Sequence, residues 1–282
     1  MDRTSVTNSR SFTVTAPDGV RISVQERGNP DGPEIVFLHG LMQCSLAWKK
    51  QLASPLAREF RMIAYDIRGH GASENRLERE QIAYRAGEPY AGELRAVLEA
   101  AGCKRPVLVG WSFGTSVICD YVRRYGTEGI AGINFVGNVL FVGRRFHWMG
   151  EKFSYASMAM SEELETSFSG VQKFVRSLFA QEPPREDLET VLCYNAMVPI
   201  GIRPWFLHPS DYEETAKALR LPVLVTHGAQ DEISLPGMAE HAARVIPGAR
   251  LSLYPGAGHS VFYEESERFN RELADFVRTC RG

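Results

Sequence analysis

One serine, Ser112, stands between two glycines at the point where the apolar run of residues 107–111 gives way to a helical pattern. A strand that turns this sharply into a helix strains the backbone of the residue at the turn. Side chains two positions before and after the serine would collide, so Gly110 and Gly114 are predicted to be steric requirements. The pattern therefore predicts an α/β arrangement that holds the Ser112 hydroxyl clear of the sheet. The alternative is a glycine-rich turn with a solvated serine.

The composition is typical of one α/β domain with a sizeable insertion. The chain has 282 residues, of which 44% are hydrophobic and 23% are charged, as in ordinary globular proteins. The net charge of −2, without a dense block of lysine and arginine, argues against nucleic acid or an anionic membrane as the main partner. No apolar run approaches the length that spans a bilayer. We therefore expect a small molecule as the partner and no stable membrane association.

The N-terminal residues and the cysteines bear on the cellular compartment. The start, MDRTSVTNSR, lacks the apolar stretch of a secretory signal. The five cysteines are scattered, odd in number and without a C-x-x-C pair, which fits reduced thiols better than disulfides or a zinc site. The Gly69-His70-Gly71 run lacks the third glycine of a dinucleotide fingerprint. We expect a cytoplasmic protein with no metal and no cofactor.

Strand and helix patterns alternate along most of the chain. Strands are predicted at residues 11–16, 20–25, 34–38, 61–65, 106–111, 130–136, 223–226 and 250–254. Helices are predicted at residues 46–58, 89–101, 113–125 and 264–278. The first two strands form an edge hairpin around Pro17-Asp18-Gly19. The alternation predicts a mostly parallel, eight-stranded sheet with helices on both faces.

Residues 137–219 interrupt this alternation, because they are rich in helical patterns and lack a clear buried strand. We predict that they form a helical cap on a core built from residues 1–136 and 220–282. The segment is also rich in aromatic residues and methionines, most of which are expected to pack cap helices together. As a group they predict an apolar roof, which favours a small hydrophobic substrate.

A serine hydroxyl needs a base within hydrogen-bond reach, and that base needs an acid to orient it. In a parallel sheet such groups are expected in the loops that follow the carboxyl ends of the strands. His259 lies in a glycine-rich loop after the last strand, and Asp231 follows the strand at 223–226. The order Ser112, Asp231, His259 is the order of hydrolases with this strand–serine–helix turn. We predict these three residues as the catalytic residues.

Other residues compete for these roles. His227 also ends a strand, but the neighbouring Asp231 suits the acid role better. Glu232 could be mistaken for the acid, and Asp231 could instead be a turn residue that binds its own backbone. An acid could also stand after the strand at 130–136, but the first polar residue there is Asn138.

The oxygen of a tetrahedral intermediate needs preorganised N–H donors. One donor is predicted to be the backbone N–H of Phe113, the residue after the serine. The second should come from the loop after His39-Gly40, where Leu41 is the leading candidate and Met42 the reserve. The His39 side chain is predicted to brace this loop and not to act in catalysis.

The motifs occur in one order: His39-Gly40, Asp66-x-Arg68-Gly69-His70-Gly71-x-Ser73, Gly110-x-Ser112-x-Gly114, Asp231 and His259. With them the chain resembles the α/β-hydrolase superfamily from about residue 12 onward. The first pair, Trp48, the RGHG turn and the long cap are similar to those of bacterial carboxylesterases and cofactor-free haloperoxidase-like serine hydrolases. The resemblance implies that Asp66 and Arg68 shape a loop. A serine at position 112 argues against haloalkane dehalogenases and epoxide hydrolases, which use an aspartate nucleophile.

Together these features predict a serine hydrolase that cleaves an ester, thioester or lactone through an acyl-enzyme on Ser112. One alternative is a C–C bond hydrolase or lyase that uses the same three residues. Another is a ligand receptor on the same fold. The sequence leaves the substrate open, and it also leaves open whether the chain forms a homo-oligomer.

Overall fold

The computed structural model describes residues 8–75, 87–206 and 211–281, and an eight-stranded sheet lies at its centre. The strands are β1 (Asn8–Thr15), β2 (Arg21–Gly28), β3 (Glu34–Leu38), β4 (Arg61–Tyr65), β5 (Val107–Trp111), β6 (Gly132–Val136), β7 (Val223–Gly228) and β8 (Arg250–Tyr254). Their order is β1-β2-β4-β3-β5-β6-β7-β8. The β1–β2 and β2–β4 pairs are antiparallel, and every later pair is parallel. The predicted sheet is confirmed.

Helices cover both faces of this sheet. They are α1 (Lys49–Leu52), α2 (Glu88–Ala100), α3 (Phe113–Tyr125), α4 (Ser154–Ala159), α5 (Leu164–Ser177), α6 (Arg185–Met197), α7 (Glu213–Ala218), α8 (Pro236–Val245), α9 (Val261–Glu264) and α10 (Ser266–Thr279). Helices α2, α3, α7 and α8 pack on one another in series, whereas α1 packs on α9 and α10. Every residue of β5, β6 and β7 is buried, as parallel strands between two helical layers must be.

The single helix predicted over residues 46–58 is wrong. Two 3-10 helices, Ser45–Trp48 and Pro55–Arg58, flank the short α1 instead. Pro55 has no N–H to continue a helical ladder, and the residue before a proline is driven towards extended backbone. Ser54 accordingly has ψ 171°, and its hydroxyl caps the second 3-10 helix by accepting the Leu56 N–H at 3.2 Å.

The other predicted strands and helices are confirmed to within a few residues. Strands β3, β4 and β8 and helix α3 have the predicted bounds. The helix predicted at 264–278 is divided at Glu265, which separates α9 from α10. These elements are placed correctly because their signals are local runs of apolar residues with turn residues beside them.

Between β6 and β7 the chain forms helices α4 to α7 and three 3-10 helices, Phe146–Trp148, Glu151–Phe153 and Ile200–Phe206. The described part of residues 137–219 contributes no strand to the sheet. Residues 207–210 of the predicted cap, and residues 1–7 and 76–86 of the predicted core, lie outside the described residues. The division into core and cap stays a prediction.

A buried arginine joins helices of this segment. The Arg203 guanidinium donates to the carbonyl oxygens of Val198 at 2.8 Å, Ala159 at 3.1 Å and Ala196 at 3.2 Å. It also donates to the Ser167 hydroxyl at 3.0 Å. The three carbonyls lie at the C-terminal ends of α4 and α6, where carbonyl oxygens lack helical partners and favour a positive charge.

Candidate active site

Ser112 occupies the strained turn between β5 and α3. Its φ of 52° and ψ of −115° form a combination that residues with a side chain rarely adopt. A Cβ on Gly110 would lie 2.7 Å from the Gly114 carbonyl oxygen, and one on Gly114 would lie 2.6 Å from the Leu38 carbonyl oxygen. Neither position has room for a side chain, which is the steric requirement that the sequence predicts.

His259 and Asp231 are in contact, and both are buried. The Nδ1 atom of His259 lies 2.6 Å from Oδ2 of Asp231. The other carboxylate oxygen, Oδ1, accepts the N–H groups of Ile233 at 2.9 Å and Ser234 at 3.0 Å. Burial alone would raise the pKa of Asp231, but the His259 ring, the neighbouring His227 and the Ser234 N–H outweigh it and lower this pKa. Asp231 is therefore an anion that holds the proton on Nδ1 and leaves Nε2 of His259 as the basic atom.

The loops after β5, β6 and β8 meet at one edge of the sheet. The indole N–H of Trp111 donates to the His259 carbonyl oxygen at 2.9 Å. The Ser112 N–H donates to the Val136 carbonyl oxygen at 2.9 Å. At Gly137, with φ 50°, a Cβ would lie 3.1 Å from Nδ1 of His259. The structure thus brings the segments that carry Ser112 and His259 to the same place.

The competing residues lie elsewhere or do other work. Glu232 is exposed and forms an ion pair with Lys152. Asn138 is buried after β6, and its carbonyl oxygen accepts a hydroxyl from the Asp231 loop. His227 lies beside the acid, with Nε2 3.3 Å from Oδ2 of Asp231. Sequence reasoning considered His227 only as a rival, and no local pattern marks its contact with Asp231, because residues 227–231 are a strand end and a turn.

Two histidines brace the loop that follows β3. Nε2 of His39 accepts the Ile67 N–H at 2.9 Å, and Nε2 of His70 accepts the Met42 N–H at 3.1 Å. Burial lowers the pKa of His39 to about 4. Burial, together with the His39 ring, lowers the pKa of His70 to about 3. Both rings are neutral near pH 7, so their lone pairs are free to accept these bonds. The Met42 N–H is thereby occupied, and Leu41 stays the leading donor in this loop.

The loop with Leu41 packs directly on the serine. A Cβ on Gly40 would lie 3.3 Å from the Cβ of Ser112. Leu41, the next residue, is buried. Phe113 is the first residue of α3, where a backbone N–H has no partner within the helix. The two N–H groups predicted to face a substrate oxygen therefore lie on segments next to Ser112.

A buried amide pair connects this loop to α6. Nε2 of Gln43 donates to the Asn195 side-chain oxygen at 3.3 Å and lies 3.4 Å from the Leu41 carbonyl oxygen. Nδ2 of Asn195 donates to the Val191 carbonyl oxygen at 2.8 Å, which fixes the orientation of its amide. Sequence reasoning missed this pair, and no local pattern marks it because the partners are 152 positions apart.

An aromatic side chain from the predicted cap packs on Phe113 and His70. Phe206 is buried, and its ring centroid lies 6.0 Å from that of Phe113 and 4.6 Å from that of His70. Tyr90 also packs edge-on against Phe113, at 5.3 Å. The residue after Ser112 thus lies among aromatic rings, and a hydrogen bond to a developing charge is stronger in apolar surroundings than in water.

Asp66 and Arg68 support the neighbouring turns. The Asp66 carboxylate accepts the N–H of Ser45 at 2.7 Å and the N–H of Ala72 at 2.8 Å. Nε of Arg68 donates to Oε2 of Glu93 at 2.8 Å, and both side chains are buried. These contacts fit the loop-shaping role that the family resemblance implies.

Metal sites, disulfides and membrane-spanning helices are absent from the described residues. Within residues 8–75, 87–206 and 211–281, no group of three or more His, Cys, Asp or Glu side chains is arranged to hold a metal ion. All five cysteines are free thiols. Among the helices of those ranges, none is both long enough and apolar enough to cross a membrane.

Comparisons with known proteins agree with this architecture. A family model described as alpha/beta hydrolase fold matches residues 33–266. The bifunctional esterase/perhydrolase DCH of Acinetobacter calcoaceticus is 26% identical, and a non-heme haloperoxidase of Rhodococcus erythropolis is 27% identical; each match covers 94% of this chain and 99% of the relative.

Two solved structures are similar over nearly the whole chain. A proposed aryl esterase from Burkholderia cenocepacia has a TM-score of 0.89 at 35% identity. The esterase RhEst1 from Rhodococcus sp. ECU1013 has a TM-score of 0.86 at 30% identity. Each match covers 96% of this chain and 99% of the other.

Proposed function

The chain belongs to the α/β-hydrolase fold family, and from that premise we propose that it is a serine ester hydrolase that works through an acyl-enzyme on Ser112. The observation that carries the proposal is the 2.6 Å contact between His259 and Asp231, on loops that meet the strained turn of Ser112. The relatives named as esterases support the reaction class.

In the first half of the proposed reaction, Nε2 of His259 takes the hydroxyl proton as Oγ of Ser112 bonds to the carbonyl carbon of the ester. The electron pair of the carbonyl moves onto its oxygen, where the N–H groups of Phe113 and Leu41 hold it. Asp231 stabilises the imidazolium. As the tetrahedral intermediate collapses, the bond to the leaving oxygen breaks, and His259 gives that oxygen the proton.

In the second half, water attacks the carbonyl carbon of the acyl-enzyme. His259 takes one proton from the water, and the same two N–H groups hold the oxyanion. The bond between the acyl carbon and Oγ of Ser112 then breaks, and the hydroxyl recovers its proton from His259. The products are a carboxylic acid and an alcohol, and the enzyme returns to its starting state.

The substrate is proposed to be a small hydrophobic ester, thioester or lactone. Phe206 reaches from residues 137–219 onto the Phe113 ring, which supports a cap over a core of residues 1–136 and 220–282. An apolar cover of this kind favours an apolar acyl or alcohol group. The five free thiols support a reducing compartment, the cytoplasm.

The names of two relatives favour a second candidate. One is called an esterase/perhydrolase and another a haloperoxidase. On this reading, hydrogen peroxide replaces water in the second half of the reaction. One of its oxygens attacks the acyl carbon as His259 takes the proton from that oxygen. The bond between the acyl carbon and Oγ of Ser112 then breaks, His259 gives the proton to Oγ, and the product is a peracid. The same acyl-enzyme serves both candidates.

The test is turnover of a panel of aryl esters, thioesters and lactones by the wild type and by Ser112→Ala. We expect the variant to lose about 10⁴- to 10⁶-fold in kcat with its fold intact. Asp231→Asn is expected to lose about 10⁴-fold or less. Ser116→Ala, which alters another hydroxyl on α3, is the matched control and should keep wild-type turnover.

The same panel separates the alternatives. Wild-type turnover in Ser112→Ala would rule out the acyl-enzyme. If the wild type cleaves a vinylogous diketone and turns over none of the esters, the protein is a C–C hydrolase. Ligand binding that raises Tm without any turnover would indicate a receptor.

A further inference from the structure

Two imidazoles face one oxygen of Asp231. Nδ1 of His259 lies 2.6 Å from Oδ2, and Nε2 of His227, at the end of β7, lies 3.3 Å from the same atom. Nε2 of His227 also lies 2.7 Å from the Ser234 carbonyl oxygen. The His227 side chain is fully buried. The second imidazole is therefore fixed between the acid and the loop that follows it.

The partners of His227 decide which of its nitrogens carries the hydrogen. A carbonyl oxygen only accepts, so the 2.7 Å contact with Ser234 requires a hydrogen on Nε2. Burial lowers the pKa of His227, which leaves the ring neutral with a bare Nδ1. Among the described residues, Nδ1 has no hydrogen-bond partner. The ionisable groups that face this ring are Asp231, His259 and Glu240 of α8.

The Asp231 carboxylate accepts three hydrogen bonds, and the loop that His227 holds supplies two of them. Oδ1 accepts the N–H groups of Ile233 and Ser234, and Oδ2 accepts the Nδ1–H of His259, while the single hydrogen on Nε2 of His227 is bound by the Ser234 carbonyl oxygen. Hydrogen bonds to the charged form of a carboxylate stabilise that form and lower its affinity for a proton. They also fix the rotation of the carboxylate, so that Oδ2 points at Nδ1 of His259.

We propose that His227 is a positioning residue of the serine hydrolase reaction: its Nε2–H holds the Ser234 carbonyl oxygen and so fixes the loop whose N–H groups orient Asp231 and restrain its basicity. The inference rests on the proposed function. His227 acts through the loop of residues 231–234, whose Ile233 and Ser234 N–H groups bind Oδ1 of Asp231. It is a second histidine of the site, distinct from the proton-transferring His259.

Two variants of matched chemistry test this role. In His227→Gln the side-chain nitrogen stands three bonds from Cβ, as Nε2 does, so the donor to the Ser234 carbonyl oxygen is retained. In His227→Asn the nitrogen stands two bonds from Cβ, in the position of Nδ1, and the donor is lost. We expect the Asn variant to lose about tenfold in kcat with little change in KM, the effect of one lost hydrogen bond. The Gln variant is expected to stay within about threefold of the wild type.

Two further readouts separate positioning from a general loss of stability. In the Asn variant the acidic limb of the profile of kcat/KM against pH should move to higher pH, because Asp231 binds a proton more readily when the N–H donors to Oδ1 are held less firmly. The Gln variant should keep the wild-type limb. The downfield NMR resonance of the proton between His259 and Asp231 should move in the Asn variant and stay in place in the Gln variant.

The results with these variants either support or overturn the positioning role of His227. A folded Asn variant with wild-type kcat, pH profile and resonance would overturn the proposal. If either variant fails to fold, nitrogen NMR of the wild type replaces it, and a proton on Nδ1 of His227 instead of Nε2 would overturn the proposal equally. A wild type without ester turnover would contradict the proposed function, whereas the NMR measurements would still test the placement of His227.

Discussion

The indole N–H of Trp111 donates to the carbonyl oxygen of His259 at 2.9 Å, across 148 positions of sequence. Trp111 is the last residue of β5, directly before Ser112, so this bond joins the proposed nucleophile to the loop of the proposed base. The two rings are also close, with centroids 5.7 Å apart. The position of the imidazole is therefore set by the same strand that sets the position of the hydroxyl.

Replacing the Trp111 N–H donor should lower kcat in a protein that still folds. Trp111→Phe removes the N–H and leaves the buried His259 carbonyl oxygen without that partner, which costs about 1–3 kcal/mol. We expect kcat to fall about tenfold because the imidazole is held less firmly. Trp48→Phe is the control, since the described residues offer the Trp48 Nε1 no hydrogen-bond partner. Equal kcat values for the two variants would show that the Trp111 bond does not position His259.

Gly114, two positions after Ser112, should not tolerate even the methyl side chain of alanine. In Gly114→Ala the new Cβ would lie 2.6 Å from the Leu38 carbonyl oxygen, and neither backbone can move without disturbing the turn. We expect a loss of about 1–3 kcal/mol in the free energy of unfolding, measured with urea. Gly256→Ala is the control, because its Cβ would come no closer than 3.6 Å, to Oε1 of Glu265. Unchanged stability of Gly114→Ala would contradict the steric reading of the turn.

Much of the sheet could be predicted because its signals are local. Strands β3, β4 and β8 are short apolar runs beside turn residues, and their bounds agree with the sequence pattern. The placement of Asp231 and His259 followed from one rule, that loops at the carboxyl ends of parallel strands converge. The structure brings these two side chains into contact, and their catalytic roles stay a proposal.

What could not be predicted depends on tertiary packing. The Gln43–Asn195 amide pair joins residues 152 positions apart, and neither residue stands out in its own segment. Likewise, only the fold shows that Nε2 of His70 accepts the Met42 N–H, which favours Leu41 over Met42 as the proposed donor to the oxyanion. The broken helix at Pro55 is a different case, because the proline is a local signal in the sequence and by itself indicates the break.

Loss of the buried guanidinium should loosen the segment between β6 and β7. Arg203→Met keeps much of the apolar stem but removes the guanidinium donor to the carbonyl oxygens of Val198, Ala159 and Ala196, of which Ala159 keeps its bond from the Ser167 hydroxyl. The variant no longer has to bury a charge, which offsets part of the loss of these hydrogen bonds. We therefore expect a net decrease of about 2–4 kcal/mol in the free energy of unfolding.

Arg176→Met is the matched control for this prediction. Arg176 lies on α5, about half exposed, and pairs with Glu182 at 3.4 Å, so its loss should change stability by less than about 0.5 kcal/mol. Limited proteolysis should cut the Arg203→Met variant first within residues 137–219. Equal unfolding midpoints for the two variants would show that Arg203 does not hold these helices together.

Mild acid should destabilise the protein through His39 and His70, the two histidines that brace the loop after β3. The pKa of His39 is lowered to about 4 and that of His70 to about 3, from an ordinary value of 6.5. Below pH 6.5 these two histidines are therefore protonated in the unfolded chain but not in the folded chain. The free energy of unfolding consequently decreases as the pH falls. Each histidine contributes about 1.4 kcal/mol per pH unit between about pH 6 and pH 4.5. His39→Gln offers an oxygen to the Ile67 N–H and does not titrate, so its urea midpoint should fall less steeply over this range. A variant with the same slope as the wild type would mean that His39 is protonated in the folded state and cannot brace the loop as a neutral acceptor.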